Sequence, residues 1–174
     1  MSADAARIYA RAMPGLSIRE LHDFLDEPGH LLRLGTVDPG GLPRVVPIWF
    51  LFDDGKLWFT PRARSAWRND LRASPAVCCT VDETTGAMRK LVARGRAVLE
   101  HDLGDDDLWR DRYRTIACRY TPPEFADAYL RDTIDEPRAL YSLTLADAEV
   151  VTWRMPVRPG EDPLAVWASR YYHR

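Results

Sequence analysis

The run Val45-Val46-Pro47-Ile48-Trp49-Phe50-Leu51-Phe52 constrains this chain more than any other segment. It is apolar throughout and lacks the alternation of a half-exposed strand, so both of its faces are expected to be covered. Pro47 has no N–H to give to a ladder, which points to a bulge, a sheet edge or a place where something other than a strand lies alongside. Asp53-Asp54-Gly55 then turns the chain into Lys56-Leu57-Trp58-Phe59-Thr60, and the two strands are expected to pair antiparallel. Together they carry more apolar surface than one small barrel can cover. A homodimer is therefore expected, with an apolar interface above about 2,000 Å² in total.

The rest of the chain builds around that hairpin. Strand patterns occupy residues 30–37, 76–82, 89–101 (containing Gly95), 138–145 and 149–155, and Pro and Gly residues mark the turns between them. Ser17 followed by Glu20 forms a capping box ahead of Leu21, Phe24 and Leu25. Ser65 is placed to cap a second helix through Ala73, with Trp67 and Leu71 on its apolar face. From Asp105 the pattern is helical through Trp109, Tyr113 and Ile116, and again from Pro122, as first helical residue, through Phe125, Tyr129 and Leu130. The fold class expected is mainly β with flanking helices, an antiparallel Greek-key barrel. It is read as a single domain over 1–174, with an N-terminal arm at 1–16, a helical insertion at about 104–132 and an aromatic C-terminal tail at 156–174 that packs on something.

Charge and cysteine usage exclude several function classes. The net charge is -2, and 24 basic and 26 acidic residues are spread along the 174-residue chain, so neither a nucleic-acid stripe nor a polybasic membrane segment is present. The first fifteen residues lack the apolar core of an export signal and no apolar run approaches a membrane span, so the cytoplasm is the compartment expected. Cys78, Cys79 and Cys118 have neither disulfide nor metal-ligand spacing. Strand alternation turns one of Cys78 and Cys79 inward, as a small hydrophobe rather than a nucleophile. Only Lys56 and Lys90 are lysines against 22 arginines, a bias of GC-rich coding.

Chemistry concentrates in Thr60-Pro61-Arg62-Ala63-Arg64-Ser65-Ala66-Trp67-Arg68. Arginines and a hydroxyl lie there between a strand end and a helix start, where free N–H groups and the positive end of the helix dipole attract an anion. Guanidinium forks match phosphate oxygens. A flat apolar ligand over Val46 to Trp49 could set its phosphate on Arg62, Arg64 and Ser65, which is the shape of a flavin nucleotide. No Gly-rich dinucleotide loop, P-loop, HExxH or GxSxG motif occurs. The four histidines are scattered, and Asp105-Asp106-Asp107 reads as a cap at a helix start where the dipole favours negative charge, so no metal site is expected.

Residues 42–50, Trp58-Phe59-Thr60, the helix at 65–75, the strand at 76–81 and Val92-Ala93-Arg94-Gly95-Arg96-Ala97 together resemble the pyridoxamine 5'-phosphate oxidase-like, FMN-binding split-barrel family over about residues 20–155. The resemblance implies a homodimer with two cofactor sites at its interface, binding FMN or the deazaflavin F420. By that resemblance Arg44, Val45, Val46, Pro47, Ile48 and Trp49 line the ring system, Phe59 and Thr60 the sugar-phosphate side, and Arg62, Arg64 and Ser65 the phosphate. Lys90 falls where relatives reach in from the partner subunit, and Trp153-Arg154 resembles a late aromatic-basic pair that closes the pocket. Where relatives place a lysine in the phosphate loop this chain has Trp67, so Arg62, Arg64 or Arg68 supplies the charge or the ligand differs. Trp67 is weighed both as a cofactor contact and as the apolar anchor of its helix, and the anchor is favoured.

The function expected is hydride transfer to an unidentified small-molecule substrate by an FMN- or F420-dependent oxidoreductase, with arginine-rich coding leaning towards F420 by association. Vitamin B6 oxidation is not expected, because residues 152–156 lack the arginine-rich ending of authentic pyridoxamine phosphate oxidases. Tyr113, Tyr120 and Arg154 are the candidates to protonate or orient a substrate. The competing expectation is a non-catalytic carrier or sensor of FMN, F420 or haem.

Overall fold

The computed structural model describes residues 15–161. Ser17 Oγ accepts from the Glu20 N–H at 3.3 Å and Glu20 Oε2 accepts from the Ser17 N–H at 2.9 Å, so the expected capping box opens α1 (Ile18–Asp26). Phe24 and Leu25 bury the inner face of that helix. β1 (Leu32–Val37) alternates towards the core, and a turn through Gly41, with φ of 87°, returns the chain as β2 (Pro43–Ile48).

The apolar run at 45–52 is not one strand. It breaks after Ile48: β2 pairs with β1, whereas β3 (Leu51–Asp53) lies in a different sheet and pairs with β4 (Lys56–Phe59). The run shows no single alternation because two half-strands, each with its own inward phase, meet at Trp49-Phe50. The expectation that both faces are covered fails within one chain, since Val45 is 67% exposed while Val46 and Ile48 pack against the core. Pro47 is tolerated because β2 is a sheet edge.

A second expected strand, residues 89–101, divides in the same way. β6 (Lys90–Arg96) follows β5 (Ala76–Asp82) in a five-stranded antiparallel sheet of order β2-β1-β5-β6-β9, with β9 at Glu149–Trp153. β7 (Val98–His101) crosses into a four-stranded sheet of order β3-β4-β8-β7, with β8 at Leu140–Thr144. Gly95 sits at this crossing, where a Cβ would meet Leu143 Cδ1 at 2.9 Å and Ala148 Cβ at 3.3 Å. The two sheets enclose one core, with Leu34, Phe50, Phe59 and Leu91 fully buried, which is the split barrel expected.

α2 (Ala66–Ala73) connects β4 to β5, and β5 buries Cys79 while exposing Cys78. Burial pushes the Cys79 thiol up to about 12, so it serves as packing. α3 (Asp106–Cys118) and α4 (Pro123–Asp132) form the helical insertion and a second apolar cluster with Trp58, Trp109 and Leu130. Three details differ from expectation. Pro122 caps α4 and Pro123 takes the first helical position. Phe125 is 63% exposed, because the buried stripe of α4 runs through Ala126 and Leu130. Asp105 makes no side-chain cap, while Asp106 reaches the Arg138 N–H at 2.9 Å. Most of the arm at 1–16 and the aromatic tail from residue 162 onward lie outside the described residues. No helix among those described is long and apolar enough to cross a membrane.

Candidate functional site

Between β4 and α2 the connection folds on itself. Arg62 N–H donates to Ser65 Oγ at 3.1 Å, and Ser65 N–H donates to the Arg62 carbonyl at 2.9 Å. Ser65 therefore shapes the loop and does not cap α2 through its side chain, contrary to expectation. Ala63 N–H donates to Pro137 O at 2.9 Å and Ala139 N–H to Pro61 O at 3.1 Å, which sets Arg62 opposite Arg138. The arginine loop is thus held by the segment leading into β8.

Seven of the residues singled out in the sequence, Pro47, Ile48, Trp49, Thr60, Arg62, Ser65 and Tyr113, meet in one recess of about 280 Å³. Tyr113 and Ile116 from α3, Tyr129 from α4 and Arg138 supply its other wall. Trp49 stacks on Tyr120 with centroids 5.1 Å apart and the planes 3° from parallel, and meets Tyr129 edge-on at 5.7 Å. These contacts bring the helical insertion down over the turn between β2 and β3.

Arginines and phenols converge at the inner end. Arg62 donates from Nη2 to Tyr129 Oη at 2.6 Å and pairs through Nη1 with Glu136 at 2.6 Å. Arg138 Nη2 donates to the same Tyr129 oxygen at 3.2 Å, and its guanidinium lies 4.4 Å over the Tyr113 ring. Burial opposes ionisation of Tyr129, but the adjoining Tyr113 hydroxyl and the two arginines outweigh it and lower its pKa. Tyr113 goes the other way, pushed up chiefly by burial. The hydrogen bond to Tyr129 raises the pKa of Arg62.

The remaining expected site residues lie elsewhere. Phe59 is fully buried in the core, 6.3 Å from Tyr141 and 6.2 Å from Trp67, so its ring faces away from the recess. Trp67 is 8% exposed and belongs to the same core, in the position of a helix anchor. Arg64 is exposed and does not line the recess. Val46 packs inward, whereas Arg44 and Val45 border a separate groove of about 660 Å³ on the outer face of the five-stranded sheet. Arg44 Nε is bonded to buried Asp70 at 2.8 Å.

Lys90 lies on β6, three strands from β2, or roughly 14 Å at ordinary strand spacing, and its ammonium sits 5.9 Å from the Trp153 ring. Arg154 is buried and tied to Glu161 at 2.7 Å, away from the arginine loop. Within one chain, then, Lys90, Trp153 and Arg154 do not join the recess. Tyr120 is also unsuited to proton delivery, since its hydroxyl donates to His30 O at 2.7 Å and accepts from the Phe50 N–H at 3.0 Å. Ile116, Tyr129 and Arg138 were not singled out as site residues. Tyr129 was legible only as part of a helical stripe, and Arg138 carries no local signal because its partner loop is remote in sequence.

Over residues 18–152 the chain matches the pyridoxamine 5'-phosphate oxidase family, and it belongs to that family. Its fold is shared with a conserved hypothetical protein of Mycobacterium tuberculosis at 20% identity and a TM-score of 0.66, covering 82% of this chain and 87% of that one. A FAD-binding protein of Mesorhizobium loti matches at 22% identity and a TM-score of 0.57, covering 82% and 96%. HutZ, the haem storage protein of Vibrio cholerae, matches at 20% identity and a TM-score of 0.60, covering 79% and 94%. No curated protein matches the sequence. Relatives of one fold thus hold different groups, and chemistry must be argued from the site.

Proposed function

We propose that the protein is an oxidoreductase that binds FMN or F420 in the recess and transfers hydride to or from a small molecule. One observation carries this: the edge segment Pro47 to Trp49 and the loop with Arg62 and Ser65 open into the same recess. Arg62 and Ser65 would hold the phosphate, together with N–H groups of the first turn of α2 that have no intrahelical acceptor. At about 280 Å³ the recess suits the phosphate and sugar end, so the ring system would extend along Pro47 to Trp49. The cofactor supplies the redox chemistry, and the chain's part is to bind, orient and exclude water.

A second copy of the chain completes this proposal. Val45 at 67% and Val37 at 46% exposure border the apolar groove outside the five-stranded sheet, a surface that a partner protomer would cover. Lys90 and Trp153 would then approach the ring from that copy. Mass spectrometry of the small molecule released on denaturing the native protein tests the reading, followed by titration with FMN and F420. Bound flavin or deazaflavin, with reduction of an acceptor on turnover, is the expected result. A bound cofactor without turnover would leave a carrier, and release of haem would replace the proposal.

A further inference from the structure

Arg138 is 6% exposed and forms no ion pair with a carboxylate among the described residues. The other buried arginines are paired, Arg68 with Asp102 at 2.9 Å and Arg154 with Glu161 at 2.7 Å. A buried guanidinium without a counter-ion is rare, because neutral neighbours do not replace what water gave it. Tyr129 takes one of its hydrogen bonds, the Tyr113 ring covers its face, and its Nε has no partner. The carboxylates around it are engaged otherwise, Glu136 with Arg62 at 2.6 Å and Asp106 with the Arg138 backbone N–H at 2.9 Å.

Apart from those two engaged carboxylates, the polar groups around Arg138 are able to donate. Guanidiniums cannot accept. Tyr129 Oη already receives from Arg62 and Arg138, which leaves its own proton for a third group. Tyr113, 6% exposed, has a hydroxyl that adjoins Tyr129 Oη but makes no well-aligned hydrogen bond, and both it and Arg138 line the recess. Donors that converge with every nearby acceptor already engaged define a place for an anion.

We propose that Arg138, Tyr113 and Tyr129, with Arg62, form an oxyanion site at the inner end of the recess, and that Glu136 competes with the anion for Arg62. This rests on the recess being a ligand site, and it makes the helical insertion half of the anion site instead of a cover. Two sources supply the chemistry: the phosphate of the cofactor, or a carboxylate of the substrate bound beside it.

The test compares wild type, Arg138→Gln and Glu136→Gln. Each is titrated with FMN against riboflavin and with F420 against its phosphate-free deazaflavin core, and benzoate and inorganic phosphate are followed by their effect on melting temperature. If the cofactor supplies the anion, Arg138→Gln weakens the phosphorylated ligand about tenfold or more while its phosphate-free counterpart is unchanged. Glu136→Gln tightens the same ligand several-fold. If the substrate supplies it, cofactor affinities stay level and protection by benzoate is lost in Arg138→Gln and strengthened in Glu136→Gln. Should Arg138→Gln not fold, Tyr129→Phe takes its place with the same expected direction. A wild type that binds no flavin or deazaflavin but is protected by benzoate or phosphate through Arg138 defeats the cofactor reading and keeps the oxyanion site. Equal binding of every anion by wild type and variants, or no anion binding at all, overturns it.

Discussion

Two arginine clusters in this molecule are built alike and finished differently. On one side Arg89 donates to Glu27 at 2.6 and 2.9 Å and to Glu83 at 2.7 and 3.1 Å, with its face 4.8 Å from the Phe24 ring. Glu27, His30 and Glu83 could offer three ligand atoms within 4.8 Å of one another, but the guanidinium of Arg89 already supplies the cation there. On the other side Arg62 has one carboxylate and Arg138 has none, and phenols stand in their place. A cluster whose charges are matched by its own chain holds the fold. One left short of acceptors is arranged for something outside the chain.

The arginine loop offers the harshest challenge to that distinction, because a core residue and a recess residue lie within it. Trp67→Ala should cost about 3–5 kcal/mol of stability by opening a cavity beside Phe59. A denaturant melt gives that figure, and a Trp67→Ala protein that melts normally yet fails to bind cofactor would move Trp67 from the core to the site.

Arg89→Ala comes next. It strands Glu83, whose side chain is 11% exposed, and should lower stability by roughly 3 kcal/mol. Ligand affinity at the recess should not change, and a parallel fall in affinity would erase the contrast between the clusters. Arg62→Ala should do the reverse. Loss of a charge-assisted hydrogen bond lowers cofactor affinity about tenfold or more, while removal of a side chain that is 41% exposed, with its bonds to Tyr129 and Glu136, shifts stability by about 1 kcal/mol at most. Calorimetric titration beside a thermal melt separates the two effects.

What was legible in the sequence divides along the same line. The Ser17 capping box and the hairpin turn at Asp53-Asp54-Gly55 could be read because each depends on residues a few positions apart. The loop of Arg62 and Ser65 was recognisable for that reason as well. Residues 45–52 and 89–101 misled because a strand that passes from one sheet to another keeps its composition and changes only its partners. Arg138 was beyond reach, since its role arises from a bridge to Arg62 formed by the return of the chain after two helices. Phe59 and Thr60 part company because adjoining strand residues point to opposite sides, and Thr60 takes the side that opens to the recess.

Titration extremes should produce the smallest effects and still separate the clusters. Hydrogen bonds from Arg89 hold the Glu83 and Glu27 carboxyls below their ordinary range. Their folded-state pKa values are lowered, so the stability they add is present above the unfolded value near 4.5 and is lost as pH falls through the folded values. Tyr113 is raised by burial, so its contribution is present below the unfolded value near 10 and is lost as pH rises beyond it. Arg89→Ala should therefore flatten the acid limb of a stability-pH curve and leave the alkaline limb alone, whereas Tyr113→Phe should do the opposite. The acid limb should flatten only in part, because Arg154 and Arg158 also hold Glu161 down to about 2. If both variants altered the same limb, the Arg89 and Arg138 clusters would be coupled, and the division between a structural and a ligand-binding arginine cluster would fall.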